Sequence, residues 1–193
     1  MTSMPNQPRI RKAMEKLEFL VVQDIYEDVE TNKHSHVFLP AAVWAEKEGC
    51  HTNTERRVNL TRNVLPAYKD SKPDFWIFKE MSKRFEDRNK LNFPENAEAA
   101  FNEMRELSKG EGRTLDISGM TWDKIEAARG IQWPYTEADA SADEARLGKV
   151  IAIDNKSRVE FKGNQRLYTD GVFQTPSGRA NLICVDFVNN NEC

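Results

Sequence analysis

The sequence predicts a mixed α/β fold, with a parallel-strand segment first, helices in the middle and a β-hairpin tail. Residues 19–22 form an unbroken apolar run, which is typical of a strand buried on both faces of a parallel sheet. Helix-start signals recur between residues 71 and 121, and turn residues separate short apolar runs after residue 150. These patterns divide the chain into an α/β segment at 1–45, a turn and helical segment at 46–135, an acidic linker or insertion at 136–149 and a β-rich segment at 150–193.

The composition predicts a piece of a larger protein, or a subunit that needs a partner. Of its 193 residues, 39% are hydrophobic and 31% are charged, so the core it can bury alone is small for its length. The net charge is −3, and no basic patch is interleaved with aromatic residues, which excludes nucleic acid as a partner. No run of eighteen apolar residues and no signal peptide is visible, so we expect a cytoplasmic protein without membrane contact.

Polar side chains follow directly on the first predicted strand. An amphipathic helix with apolar residues at helical spacing, Ile10, Ala13, Met14 and Leu17, leads into that strand, and Gln23 and Asp24 come next. In open α/β sheets ligands bind beyond the carboxyl ends of the strands, where a carboxylate can accept donors from a ribose or a guanine. Gln23 and Asp24 are therefore candidate nucleotide contacts. The alternative for Asp24 is a turn or a helix cap.

A second short strand, residues 37–39, ends on Pro40 and is followed by a charged segment. Lys47 lies in that segment, and its compact ammonium group suits a phosphate. The alternative for Lys47 is a salt bridge with Glu46 or Glu48. We interpret residues 55–57, Glu-Arg-Arg, as structural ion pairing that holds a turn.

Three helices are predicted in the middle of the chain. The first begins with a capping box in which Ser71 is the cap and Asp74 closes the box, and its buried stripe is Phe75, Ile77, Phe78, Met81 and Phe85. The second has Asn92 and Glu95 as its box, and its stripe is Ala97, Ala100, Phe101, Met104 and Leu107. Parts of both stripes should face domains outside this chain. The third helix starts at 118–121 and ends in a Schellman motif at 129–131.

The last part of the chain is predicted to be a linker followed by hairpins. Residues 136–148 are acidic and alanine-rich without an apolar period, which predicts an exposed segment. Predicted strands at 150–153 and 158–161 flank one turn, and predicted strands at 171–175 and 180–187 flank another.

The sequence predicts no metal site in this chain. Its three cysteines, Cys50, Cys184 and Cys193, lack C-x-x-C spacing, so they support neither a disulfide framework nor an iron–sulfur motif. His34, His36 and His51 are scattered along the predicted strands and loops and do not form a ligand motif.

One stretch resembles a recurring block of the molybdopterin oxidoreductases, a family that carries a bis-molybdopterin guanine dinucleotide cofactor and includes nitrate reductases and formate dehydrogenases. The matching residues are VVQD at 21–24, Thr31, HVFLPAA at 36–42, Trp44, EK at 46–47, Gly49 and TNTERR at 52–57. Later segments are similar too: KPDFWIF at 72–78, DISGMT at 116–121, IQWP at 131–134 and FQTPSGRA at 173–180. The resemblance covers most of the chain, residues 136–162 excepted.

The resemblance implies that Gln23, Asp24, Lys47 and Asp74 contact the guanine dinucleotide cofactor, and it implies no catalytic residue here. Family segments with the 4Fe–4S cysteine motif, the molybdenum ligand and the pterin-binding barrel have no counterpart, so we expect an internal or truncated part of a catalytic subunit, inactive alone. Its partners would be the rest of that subunit and an electron donor protein.

Within the family, the residues at 36–40 and 116–121 most resemble those of assimilatory nitrate reductases, and a formate dehydrogenase is the second possibility. A stand-alone α/β interaction module that has lost the chemistry is the alternative from another class.

Overall fold

The fold is described from a computed structural model, which covers residues 4–85, 92–110, 115–147, 163 and 166–184. The elements in chain order are α1 (Gln7–Met14), β1 (Val21–Asp24), β2 (Val37–Pro40), β3 (Gly49–Thr52), β4 (Arg57–Thr61), α2 (Asp74–Ser82), α3 (Ala97–Ser108), α4 (Trp122–Ala128), β5 (Ile131–Gln132) and α5 (Glu137–Leu147). Short 3-10 turns at Glu30–His34 and Trp44–Glu46 connect the first strands. The predicted mixed α/β fold class is confirmed.

The first sheet is parallel, as the sequence predicts. β1 pairs with β2 in the register Val22↔Phe38 and Asp24↔Pro40. The predicted burial on both faces is wrong in this chain, because Val22 is the buried residue of β1 while Phe19 and Val21 are 65% and 41% exposed. The strand also begins and ends later than predicted, so Gln23 and Asp24 are its last two residues.

The second sheet is antiparallel and was not predicted. β3 pairs with β4, and β4 pairs with β5 through Arg57↔Gln132 and Val58↔Ile131. The sequence of β3 contains glycine, cysteine, histidine and threonine, which give no apolar alternation, and β5 has only two residues. β3 and β4 are neighbours in the chain, whereas β5 joins the sheet by pairing with distant residues, which no local pattern reveals.

The hydrophobic core lies between the antiparallel sheet and the later helices. Buried side chains from β4, α3, α4, β5 and α5, and from the segments just before α4 and α5, form one cluster: Val58, Phe101, Ile117, Met120, Trp122, Ile125, Ala128, Ile131, Tyr135 and Ala140. Phe101 and Trp122 meet edge to face with ring centroids 6.0 Å apart. β1 and β2 are outside this cluster.

The third predicted helix and its ending are confirmed. The Thr121 hydroxyl accepts a hydrogen bond from the Lys124 amide and caps α4. At the other end the Gly130 amide donates to the Ile125 carbonyl (2.9 Å) and the Arg129 amide donates to the Glu126 carbonyl (3.0 Å), which is the Schellman pattern. The residue in the left-handed region at the cap is Arg129, with φ 54°.

Both predicted capping boxes are wrong. α2 begins at Asp74, after Pro73, and has no side-chain cap. The N-cap position is Pro73, so Ser71 is two residues too early to cap this helix. α3 is capped by Asn96, whose Oδ1 accepts a hydrogen bond from the Ala99 amide at 2.8 Å, and not by Asn92. Asparagine is a good cap at either position, so the sequence alone did not decide between them.

The predicted apolar stripes are largely exposed within this chain. On α2, Ile77 is buried, whereas Phe78 and Met81 are 52% and 42% exposed. On α3, Phe101 is buried, whereas Met104 and Leu107 are exposed. The periodicity is genuine, but the described residues bury only one position of each stripe.

The last part of the chain differs from the prediction. Residues 137–147, expected as an exposed linker, form helix α5, and its Ala140 and Asp143 side chains are buried. Residues 166–184 contain no strand, although the Gly178 amide donates to the Thr175 carbonyl in the predicted turn. The predicted strands at 150–153 and 158–161 lie outside the described residues.

Candidate functional site

Three chain segments meet at the carboxyl edge of the parallel sheet. The Ala41 amide donates to the Asp24 carbonyl (3.0 Å), and Lys72 pairs in parallel with Ala41. The Lys72 amide donates to the Pro40 carbonyl at 3.1 Å. Helix α2 begins two residues later, so its amino end faces the same edge as the ends of β1 and β2.

Asp74 is the centre of a polar cluster at this edge. The Gln23 Nε2 group donates to Asp74 Oδ1 at 2.5 Å, and the Lys47 Nζ group forms an ion pair with Asp74 Oδ2. The structure therefore brings together Gln23, Lys47 and Asp74, three of the four site residues named from the sequence. They come from β1, from the segment before β3 and from the start of α2.

The cluster is partly open to solvent, and its hydrogen bonds favour the charged form of Asp74. The side chains of Lys47 and Asp74 are 33% and 41% exposed. Partial burial disfavours the charged form of Asp74, but hydrogen bonds from Lys47 and Gln23 and the Lys47 charge outweigh it, so the pKa of Asp74 is lowered from its usual value. Asp74 is thus held as a carboxylate that can accept donors, beside an ammonium group that can meet a phosphate.

Asp24 is separated from this cluster. Side chains alternate along a strand, so Asp24 and its partner Pro40 project from one face of the sheet, and Gln23 and its partner Leu39 project from the other. Asp24 Oδ1 accepts a hydrogen bond from the Tyr26 amide at 3.1 Å. This is the turn contact named as the alternative, and Oδ2 accepts no hydrogen bond from the described residues.

The alternative salt bridges of Lys47 are not formed. Glu46 Oε2 accepts a hydrogen bond from the Val43 amide at 3.1 Å, and Glu48 pairs with Arg62 at 2.9 Å. Both carboxylates are therefore engaged by partners other than Lys47. Lys47 is therefore directed to Asp74, 27 residues away in sequence.

The turn at residues 55–57, interpreted from the sequence as structural ion pairing, contacts the residues around β5. The Glu55 carbonyl accepts from Gln132 Nε2 at 2.8 Å. The Arg56 guanidinium donates to the Trp133 carbonyl at 2.5 Å and lies 5.5 Å from the centroid of the Trp133 ring. Hydrogen bonds from side chains to backbone carbonyls and a cation–π contact thus tie this turn to the residues around β5.

A cleft of about 590 Å³ lies on the Asp24 face of the same edge. Its lining includes Phe38 and Pro40 of β2, residues 25–27 and residues 68–71. Its volume falls in the range of about 300 to 1,000 Å³ typical of small-molecule sites. No sequence motif marks this cleft, because residues 25–27 and 68–71 are far apart in the chain.

Within the described ranges, no group of three or more histidine, cysteine, aspartate or glutamate side chains could hold a metal ion. His36 Nδ1 accepts from the Leu20 amide (3.0 Å), and His51 contacts Thr61. Burial raises the pKa of the Cys50 thiol, which packs against the core.

In the part of the chain that the structure covers, no helix is long and apolar enough to cross a membrane.

The fold and the cluster define a mixed α/β protein whose polar side chains converge at the carboxyl edge of parallel strands. Residues 1–84 match the family model described as Molybdopterin oxidoreductase, and this span includes Gln23, Asp24, Lys47 and Asp74. Together with the relatives below, this match places the chain in the molybdopterin oxidoreductase family.

Three similar proteins illustrate the relationship. A nitrate reductase of Synechocystis sp. is 34% identical over 95% of this chain and 23% of its own length. An F420-dependent formate dehydrogenase subunit alpha of Methanocaldococcus jannaschii is 37% identical over 79% of this chain and 21% of its own length. An assimilatory nitrate reductase catalytic subunit of Bacillus subtilis is 34% identical over 71% of this chain and 19% of its own length. The chain thus spans about a fifth of the length of these relatives and is most like the nitrate reductases.

Proposed function

We propose that this chain supplies part of the binding site for molybdopterin guanine dinucleotide in a molybdenum-dependent oxidoreductase. The observation that carries the proposal is the convergence of Gln23 and Lys47 on Asp74 at the start of α2. These residues lie inside the segment that matches the family model, and they are three of the four positions at which the family resemblance implies nucleotide contacts.

The donor set fits the nucleotide part of this cofactor. A carboxylate accepts the N–H groups of a guanine or the hydroxyls of a ribose, and an ammonium group pairs with a pyrophosphate. The amino end of α2 adds partial positive charge beside Asp74 and Lys47. Gln23 can donate to one group and accept from another, so it can join ligand and carboxylate.

The bound cofactor would supply the redox chemistry, a two-electron transfer at molybdenum. The residues of this chain would hold the nucleotide end and would not touch the reacting atoms. The substrate class we propose is nitrate, reduced to nitrite, because similarity to a nitrate reductase extends over 95% of the chain. The second candidate is formate oxidation, favoured by the 37% identity to a formate dehydrogenase subunit.

The proposed partner is the remainder of the catalytic subunit. The chain spans about a fifth of its relatives, and the exposed apolar side chains of α2 and α3 give that remainder a surface to cover. In the full enzyme an electron donor protein and a 4Fe–4S cluster would complete electron delivery, with cluster ligands outside this chain. A cytoplasmic location remains a prediction, and one similar protein is a periplasmic nitrate reductase.

The test is nucleotide binding by the 193-residue chain. GDP carries the guanine, ribose and pyrophosphate of the cofactor's nucleotide end, and its binding is measured by calorimetry at two salt concentrations. We expect Lys47→Ala to weaken GDP binding, with a smaller loss at high salt because that contact is screened. The matched control is Lys83→Ala, which removes the same charge from an exposed pair with Glu80 beyond the end of α2. Equal losses in both variants, or no GDP binding, would refute the proposal.

A further inference from the structure

Arg62 joins the core helix α4 to the segment that carries Lys47. One nitrogen of its guanidinium donates to Glu48 Oε1 at 2.9 Å, and the other terminal nitrogen forms an ion pair with Glu126 Oε2. Glu48 is the residue after Lys47, and Glu126 lies in α4 next to Ile125, which is fully buried in the core. Arg62 is therefore a bridge between the hydrophobic core and the segment before β3.

The antiparallel sheet places Arg62 and Glu48 opposite each other. Gly49 of β3 pairs with Thr61 of β4, so the next residues outward, Glu48 and Arg62, face each other across the two strands. Side chains of opposite charge attract in such a cross-strand position. The register of the sheet thus determines this contact.

Lys47 is directed away from the bridge and toward the sheet edge. Its backbone is extended, with φ −142° and ψ 156°, and successive side chains of an extended segment point in opposite directions. Glu48 accordingly reaches Arg62, whereas Lys47 reaches Asp74. A displacement of Glu48 would move the backbone from which the Lys47 side chain extends.

The same segment is anchored a second time, through its backbone. The Val64 and Leu65 amides donate to the Ala45 carbonyl at 2.9 and 3.0 Å. Lys47 thus lies between a backbone anchor on one side and the Glu48 side-chain anchor on the other. Because the stem of a lysine is flexible, a fixed backbone is what keeps its ammonium group in one place.

We propose that Arg62 is a positioning residue of the site. By bridging the carboxylates of Glu48 and Glu126, it fixes the segment before β3 to the core. The Lys47 ammonium is thereby held where it contacts Asp74. The inference rests on the proposed function for the role of Lys47 toward a nucleotide, and it deepens that function by naming what ties the site to the core.

The Glu48→Ala variant of the 193-residue chain separates positioning from plain charge, because the two effects have opposite signs. Loss of a carboxylate beside Lys47 makes the surroundings more positive, which by charge alone would lower the pKa of Asp74 and strengthen the binding of an anion. Partial burial raises the pKa of Asp74, and the hydrogen bond from Lys47 is the largest of the contacts that lower it. Loss of the bridge loosens that contact.

We therefore expect the pKa of Asp74 to rise toward its usual value in Glu48→Ala. The measurement is a pH titration of the NMR signal of the Asp74 carboxyl carbon, which needs no ligand. GDP binding, measured by calorimetry, should weaken by about 2- to 5-fold, a partial loss because the backbone anchor at Ala45 remains. Glu126→Ala breaks the bridge at its core end and should change both quantities in the same direction.

The matched control is Glu30→Ala. Its carboxylate also pairs with an arginine, Arg11 at 2.7 Å, and the Glu30 and Glu48 side chains are 48% and 45% exposed. Glu30→Ala removes the same charge without touching the bridge, so the pKa of Asp74 and GDP binding should not change.

The failure of this inference differs from the failure of the proposed function. An unchanged or lowered pKa of Asp74 in Glu48→Ala would overturn the positioning role, and GDP binding that depends on Lys47 would leave the proposed function standing. A raised pKa in a chain that binds no GDP would support Arg62 as the residue that positions the ion pair and refute the nucleotide role. Equal responses of Glu30→Ala and Glu48→Ala would also overturn the positioning role.

Discussion

Lys47 and Asp74 are 27 residues apart in sequence and form an ion pair at the point where α2 begins. Gln23 reaches the other oxygen of the same carboxylate. Both oxygens of Asp74 are therefore engaged by donors from two other segments, and the carboxylate links β1, the segment before β3 and the helix.

This link predicts a pH-dependent contribution of Asp74 to stability. The pKa of Asp74 is lower in the folded chain than its usual value, so the charged form stabilises the fold. That contribution is fully present above the unfolded value of about 3.9 and is lost as the pH falls through the lower folded value. The melting temperature of the original chain should exceed that of Asp74→Asn at pH 7, and the difference should shrink below about pH 4. Asp28→Asn, at an exposed residue, is the control, and a difference that grows on acidification would contradict the assignment.

Asp24 should matter for cofactor retention even though it stands apart from the cluster. Introduced at the matching position of a full-length relative, Asp24→Ala should leave ligand donors unsatisfied at a cost of roughly 1 to 3 kcal/mol. Asp24→Asn should be milder but still harmful, because one acceptor becomes a donor. The measurement is cofactor content per polypeptide together with nitrate-reducing activity.

The control for this prediction is Glu55→Ala, because the Glu55 contact in the structure is made by its backbone carbonyl and not by its side chain. Asp24 also accepts from the Tyr26 amide, so melting temperatures must accompany the retention data. If Glu55→Ala loses cofactor while Asp24→Ala keeps it, Asp24 is a turn residue only.

The chemistry of the site was more accessible from the sequence than its geometry. Gln23, Lys47 and Asp74 were named because side-chain chemistry and a family block mark them, and the structure brings them together. That Asp74 is the common acceptor depends on where three segments meet, which no local pattern encodes. The cleft on the Asp24 face was missed for the same reason, since its lining comes from three separate stretches of the chain.

Local sequence patterns likewise predicted some elements of the fold and missed others. The parallel pair and α4 follow from an apolar run and from local end signals, so they were predicted. The antiparallel sheet was not predicted: β3 has no apolar alternation, and β5 pairs with β4 through residues more than seventy positions apart, such as Val58 and Ile131. Helix α5 was taken for a linker because only Ala140 and Asp143 are buried among its described side chains, too few to produce an apolar period.

The exposed apolar side chains of α2 should make the isolated chain bind hydrophobic dyes. Phe78→Ser combined with Met81→Ser should reduce dye binding with little loss of stability, because both side chains are about half exposed. In a full-length relative the same pair should lower the yield of folded subunit, since the remainder of the subunit would meet serines there. A dye signal that is unchanged by the double substitution would mean that the dye binds an apolar surface other than α2.

Gly119 should not tolerate any side chain. A Cβ at this position would lie 2.1 Å from the backbone oxygen of Thr136, and the Gly119 amide already donates to the Tyr135 carbonyl at 2.9 Å. Relieving that overlap must separate the segments before α4 and α5, so Gly119→Ala should cost about 1 to 3 kcal/mol in the free energy of unfolding. Gly49→Ala, where a Cβ meets nothing within 4 Å, is the control. Denaturant unfolding of the two variants gives the comparison.

The position of the hydrophobic core has a consequence for hydrogen exchange. Because β1 and β2 lie outside the buried cluster, their amides can exchange through local opening of small free energy, whereas amides of α4 around Ile125 exchange only when the core unfolds. A ligand that binds only the closed form of the sheet edge adds its binding free energy to that local opening. Nucleotide should therefore slow exchange at Val22 and Gln23 first and leave Ile125 almost unaffected until its stabilisation exceeds the gap between the two openings. The strands that carry the site would gain their rigidity from what they bind.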